Sequence, residues 1–135
     1  MSTSAALRPY VEHELLAART ARERGEVEAA WRLLERAHIL SQPAAWLHTR
    51  VHWAMVILAL RGGDVRELSG QLFRLALAAI GSALGRFPAG NTGRARVSAF
   101  SPMEVPGDLQ AILAECGFDV SGTRVLGRKR SFEGA

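Results

Sequence analysis

His48 and His52 stand four residues apart, and Glu35 and His38 stand three apart, in stretches of helical periodicity. At these spacings the members of each pair share one helix face, so their side chains can converge. The Glu-x-x-His spacing is also that of carboxylate-rich metal bundles. Glu14 falls between Val11 and Ala18, on the inward stripe of the preceding helix. A carboxylate there is costly unless it is paired, hydrogen-bonded or metal-bound. The chemistry these five groups suggest is transition-metal binding. Three imidazoles and up to two carboxylates suit iron, zinc or copper better than calcium or magnesium. Two histidines and one carboxylate would serve an oxygen-activating ferrous site, and three histidines with an open position would suit catalytic zinc. A di-iron centre normally takes four carboxylates, more than are visible here.

Each group also has a simpler reading. His48 and His52 can be a hydrogen-bonded core pair. Glu35 can be a solvated residue pairing with Arg32 or Arg36, and Glu14 can bridge to an arginine of a neighbouring helix. His13 falls on a polar face. Gln71 is placed either to orient a ligand from the fourth helix or simply to hydrogen-bond. The three tryptophans, Trp31, Trp46 and Trp53, read as core.

The elements that must position these groups are helices. The first is expected from about Arg8 to Arg24, with Pro9 in its first turn and Gly25 ending it. Its apolar stripe is Leu7, Val11, Leu15, Ala18 and Ala21. The second runs from about Glu26 to Leu40, with Val27, Ala30, Trp31, Leu34 and Ala37 inward. The third starts at Pro43 and ends before Gly62 and Gly63; it is apolar on most sides from Val51 onward. The fourth begins at Asp64, which with Glu67 resembles a capping box. Its expected stripe is Leu68, Leu72, Leu75 and Ala79, and it fades near Gly81 to Gly85. Counting outward from the turns places Glu14, Glu35, His38, His48 and His52 within about two helical turns, a slab about 11 Å deep.

From Arg86 to Gly107, Pro88, Gly90, Asn91, Gly93, Pro102 and Pro106 interrupt any helix. This segment is expected to wrap the helices, anchored by Val97, Phe100, Met103 and Val105. Asp108 is then expected to cap a short helix, Leu109 to Cys116, closed by Gly117. A weak repeat aligns Gly25-Glu26-Val27 with Gly63-Asp64-Val65, Leu34 with Leu72, and Arg36 with Arg74. Where the first hairpin has Glu35 and His38, the second has Phe73 and Ala76. The expected fold is therefore all-α: an antiparallel four-helix bundle of two tetratricopeptide-like hairpins, with an extended C-terminal wrap and a short fifth helix. Residues 1–120 form one domain and 121–135 a flexible basic tail.

The chain has 135 residues and a formal charge of +4, with Lys129 its single lysine. No basic stripe alternates with aromatics, so nucleic acid is not an expected partner. The single cysteine, Cys116, excludes a disulfide scaffold and a cysteine-based zinc finger. No apolar run spans a bilayer and the first residues lack signal-peptide character, so the expected location is cytoplasmic. The expected partner is a metal ion; a small-molecule substrate and a homodimer are compatible with it. Pro88 to Gly93 has no P-loop lysine and no preceding strand, which argues against a phosphate cradle.

The strings Leu34-Glu35-Arg36-Ala37-His38-Ile39-Leu40-Ser41-Gln42, His48 to His52, Gly70-Gln71 with Arg74, Pro88-Ala89-Gly90-Asn91-Thr92-Gly93, and Pro102-Met103 with Pro106 resemble a bacterial family catalogued as domain of unknown function 3703. The likeness covers about Arg8 to Leu113. The resemblance implies that His38, His48 and His52 belong to motif stretches of that family; it implies no particular activity. Three functions stay open: a metal-binding helical protein with oxidative or hydrolytic chemistry, a helical interaction module without chemistry, and a small-molecule pocket using histidine acid–base groups without a metal.

Overall fold

The computed structural model describes residues 3–83, 94, 104–119 and 126–127. The helices among them are α1 (Thr3–Glu23), α2 (Val27–Ser41), α3 (Ala45–Gly62), α4 (Val65–Ala83) and α5 (Gly107–Glu115). The result is an all-α bundle. α1 packs on α2 and α3 on α4 as two hairpins; α2 lies against α3, α1 also reaches α3, and α5 sits on α2.

The turns form where the chain can adopt a left-handed conformation. Gly25 has φ 75° and Gly63 has φ 66°, values that favour glycine. Gly63 closes α3 by donating back to the carbonyls of Ala59 and Leu60. Asp64 then starts α4 as expected, its Oδ1 accepting from the Glu67 amide at 2.9 Å.

α1 begins a turn and more before the expected start, so Pro9 lies inside the helix. Leu7 is fully buried and extends the apolar stripe backward. Its packing outweighs the amide that proline removes. Leu7, Val11, Ala18 and Ala21 of α1 meet Ala30, Trp31, Leu34 and Ala37 of α2, with Val51, Met55 and Leu58 of α3 in the same core. Val27, expected inward, is exposed at the first position of α2, where no turn precedes it to cover the side chain.

α4 departs most from the periodicity. Leu72 is half exposed and Phe73 is exposed, while Glu67, Gln71 and Arg74 are buried. The most buried face of α4 is thus polar; Leu68 still packs against the core and Leu75 is half-buried, while Leu72 is turned outward. Trp46 and Trp53, expected in the core, are 72% and 56% exposed; of the three tryptophans only Trp31 is buried. α3 spends its inward positions on smaller or polar residues, His48, Val51, His52 and Met55, which leaves both indoles outside.

Of the expected wrap, Arg94 and residues 104–107 are described, and of these Arg94 and Val105 are buried. Val97, Phe100, Met103 and the stretch Pro88 to Gly93 lie outside the described residues. α5 starts at Gly107, so the capping position falls on Pro106 and the expected cap, Asp108, lies inside the first turn. After α5, Phe118–Asp119 pairs antiparallel with Leu126–Gly127, the latter within the span expected as a tail. No described helix is long and apolar enough to cross a membrane.

Candidate metal centre

α2 and α3 bring three imidazoles to one point. His38 sits on α2 one turn beyond Leu34, on the buried face. His48 and His52 lie one turn apart on α3, facing it. Their exposures are 3%, 6% and 2%. The Nε2 atoms form a triangle: 2.9 Å between His48 and His38, 3.2 Å between His38 and His52, and 3.2 Å between His52 and His48. The ring of His38 stands edge-on to the other two, at 74° to each, so the three nitrogens point inward without the rings stacking.

The tautomer of His52 follows from its surroundings. Its Nδ1 lies 2.8 Å from Oε1 of Gln71. Gln71 Nε2 donates to Glu67 Oε1 at 2.8 Å, and a carboxylate can only accept, which fixes the amide orientation. Nδ1 of His52 therefore carries the proton, and its Nε2 presents a lone pair to the triangle. Burial, then the charges of His52 and Arg74, hold His48 down to about 3. Burial chiefly holds His52 down to about 4, against a smaller opposing effect of Gln71. At neutral pH His48 and His52 are therefore uncharged.

Neutral imidazoles do not close such a triangle well. Each has one ring proton, and His52 has placed its own on the far side. Whichever of His38 and His48 carries its proton at Nε2, one edge of the triangle still sets two lone pairs or two N–H groups against each other. A cation satisfies all three lone pairs. A tetrahedral ion with bonds of about 2.0–2.1 Å separates its ligands by about 3.3–3.4 Å. An octahedral ion with bonds of about 2.1 Å separates adjacent ligands by about 3.0 Å. The observed edges, 2.9 to 3.2 Å, lie about the octahedral separation and within a few tenths of an ångström of the tetrahedral one, so small rotations of the rings would seat either ion. The three histidines form a group of potential ligand atoms within 4.8 Å of one another.

The structure does not bring the two expected glutamates into that group. Glu14 is buried, but Nε of Arg36 donates to its Oε1 at 2.9 Å. Nη2 of Arg36 donates to Asp108 at 2.6 Å, so one guanidinium ties α1, α2 and α5 together. Glu35 accepts from Nη1 of Arg94 at 3.2 Å. The physical reason is the same for both: an arginine from another element reaches the carboxylate and compensates its burial.

Sequence reasoning passed over Glu67, Arg74 and Arg94. Beyond Gln71, Glu67 Oε2 lies 3.2 Å from Nε of Arg94, an ion pair by distance whose N–H is not aligned along the contact. The guanidinium of Arg94 also covers the ring of Trp31 at 4.0 Å. A polar line thus runs from His52 through Gln71, Glu67 and Arg94 to Glu35. The signal for its first part was available: Glu67, Gln71 and Arg74 recur at helical spacing along α4. Arg94 gave none, because it comes from a segment with no periodicity.

Fold and site together define an all-α protein of packed helical hairpins with a buried three-histidine cluster at its polar centre. The chain belongs to the family described as protein of unknown function (DUF3703), whose model matches residues 5–113. That span contains all three histidines and Gln71. No curated protein and no solved structure matches the chain.

Proposed function

We propose that this protein binds one transition-metal ion through Nε2 of His38, His48 and His52, and that the ion is zinc. The observation that carries the reading is the triangle of three buried nitrogens, all within 3.2 Å of one another. With Glu14 and Glu35 engaged by arginines, a set of three neutral imidazoles favours zinc over a ferrous site, which would use a carboxylate. Gln71 supports the reading as a partner that fixes one ligand ring, the usual arrangement around metal-bound histidine. Three protein ligands leave a coordination position for water. This is the arrangement of catalytic rather than closed structural zinc, and activation of that water for hydrolysis is the consistent extension.

The test is elemental analysis of protein purified without an affinity tag, after loading with zinc, iron and copper in separate anaerobic samples. One equivalent of zinc is expected, resisting gel filtration, with an X-ray absorption spectrum of three imidazole nitrogens. His38→Gln, His48→Gln and His52→Gln should each abolish that retention. Retention of less than about a tenth of an equivalent of every metal would end the proposal. One equivalent of iron or copper instead of zinc would keep the site and replace the ion.

A second reading has its own observation. The exposed tryptophans and the groove beside them favour a protein-interaction surface, which is compatible with a metal centre elsewhere in the fold.

A further inference from the structure

A second site lies on the face of the bundle formed by α1 and α3. There, a cleft of about 530 Å³ is lined by Leu15, Arg19 and Arg22 from α1 and by Trp46, Arg50 and Trp53 from α3. The three residues of each helix recur at helical spacing, so two parallel stripes face each other, each mixing apolar surface with guanidinium groups. Trp46 and Trp53 are more than half exposed, as is Leu60, one further heptad along α3. From Trp46 to Leu60 the stripe runs for about 21 Å.

Large exposed aromatics are expensive to leave in water, and a contiguous apolar stripe of this length marks a contact surface. The charge of the cleft selects the partner. Arg19 and Arg50 each engage one carboxylate, Glu23 and Glu12, through one nitrogen, which leaves most of their donors available. Nε of Arg22 is buried at the cleft with no hydrogen-bond partner among the described residues. Arg22 as a whole is half-buried and lines the cleft, so an incoming carboxylate would pair with its guanidinium charge from the open side.

We infer that this cleft binds an extended, acidic peptide segment of a partner protein, in which carboxylates meet Arg22 and Arg50 while apolar side chains pack on Trp46 and Trp53. The exposed stripe, which continues past the cleft to Leu60, favours a peptide over a small organic acid: about six residues of extended chain cover 21 Å. The chain's own formal charge of +4 favours an acidic partner and disfavours a second copy of itself. The inference does not depend on the metal centre, since it uses none of the histidines.

The test selects binders on the full chain from a displayed library of random peptides about ten residues long. Selected peptides are then measured by fluorescence anisotropy and by the emission of the protein's tryptophans. Peptides in which Asp or Glu interleaves with aromatic or aliphatic residues are expected. Arg22→Gln and Arg50→Gln should each weaken them by about tenfold or more, with unchanged thermal unfolding. Trp53→Ala should abolish binding. Enrichment of neutral or basic peptides, failure to enrich any, or equal affinity for the arginine variants would overturn the inference. So would sedimentation showing a dimer that Trp53→Ala dissolves, because the cleft would then be filled by a second copy.

Discussion

Oε1 of Gln71 lies 2.8 Å from Nδ1 of His52, on the opposite side of the ring from the nitrogen that faces His38 and His48. The contact decides which nitrogen of His52 is free to bind. It holds because Gln71 is itself fixed by Glu67, one turn earlier on α4. A residue of α4 thus sets the chemistry of a site built from α2 and α3. Gln71→Leu should lower zinc affinity by about 10- to 100-fold while leaving the stoichiometry at saturation unchanged. Competition against a chromophoric chelator measures this. Gln71→Glu alone would set a second carboxylate against Glu67, whereas Gln71→Glu combined with Glu67→Gln restores the donor–acceptor pair, keeps an acceptor for His52 and should recover most of the affinity. Equal affinity in all three proteins would show that the amide plays no part in ligand orientation.

Arg94 holds the outer end of the same line, facing Glu67 and Glu35 and covering Trp31. Removing it leaves two carboxylates, one of them buried, without that guanidinium. Arg94→Met should destabilise the fold by about 3 kcal/mol, read from urea unfolding. Arg94→Lys should restore little of this, because an ammonium can neither stack flat on an indole nor bridge two carboxylates with a rigid fork. Full recovery by lysine would reduce the role of Arg94 to charge alone.

How much of this was legible in the sequence depended on whether the information was local. The hairpins were, because Gly25 and Gly63 sit between apolar stripes and need left-handed conformations. The convergence of His38, His48 and His52 was also legible, since helical spacing and level counting require only regular helices and known turns. What those rules could not supply was competition between partners. Glu14 and Glu35 occupy the expected level, yet arginines distant in sequence, Arg36 and Arg94, claim them. The rotation of α4 was lost for a related reason. An apolar moment assumes that leucines determine the buried face, whereas here the hydrogen bonds of Glu67 and Gln71 determine it and Leu72 turns outward.

The division between ligands and ion-paired carboxylates has its own test. Glu14 accepts from Arg36 and lies outside the histidine group. Glu14→Gln should therefore cost about 1–3 kcal/mol of stability and leave metal stoichiometry and affinity unchanged. Calorimetric unfolding and zinc titration of the same sample separate the two effects. Loss of zinc in a folded Glu14→Gln protein would place the carboxylate at the metal after all.

Acid should act on the metal-free protein through the same cluster. Within it, His48 and His52 face His38 from α2 and Glu67, Gln71 and Arg74 from α4. Burial pushes His48 down to about 3 and His52 down to about 4. In the unfolded chain both return to about 6.5. Between those values the unfolded chain binds protons that the folded chain refuses, so stability favours unfolding as pH falls. The contribution of these imidazoles is complete above about pH 6.5 and is lost as pH drops toward 4, at no more than about 1.4 kcal/mol per pH unit for each. Urea midpoints of chelator-treated protein between pH 8 and 4 should be flat at first and then decline below about 6.5. His48→Gln should flatten part of that decline, since glutamine does not titrate. A wild-type curve that stays level down to pH 4 would mean that the folded cluster accepts protons readily, and that burial does not keep these nitrogens free for an ion.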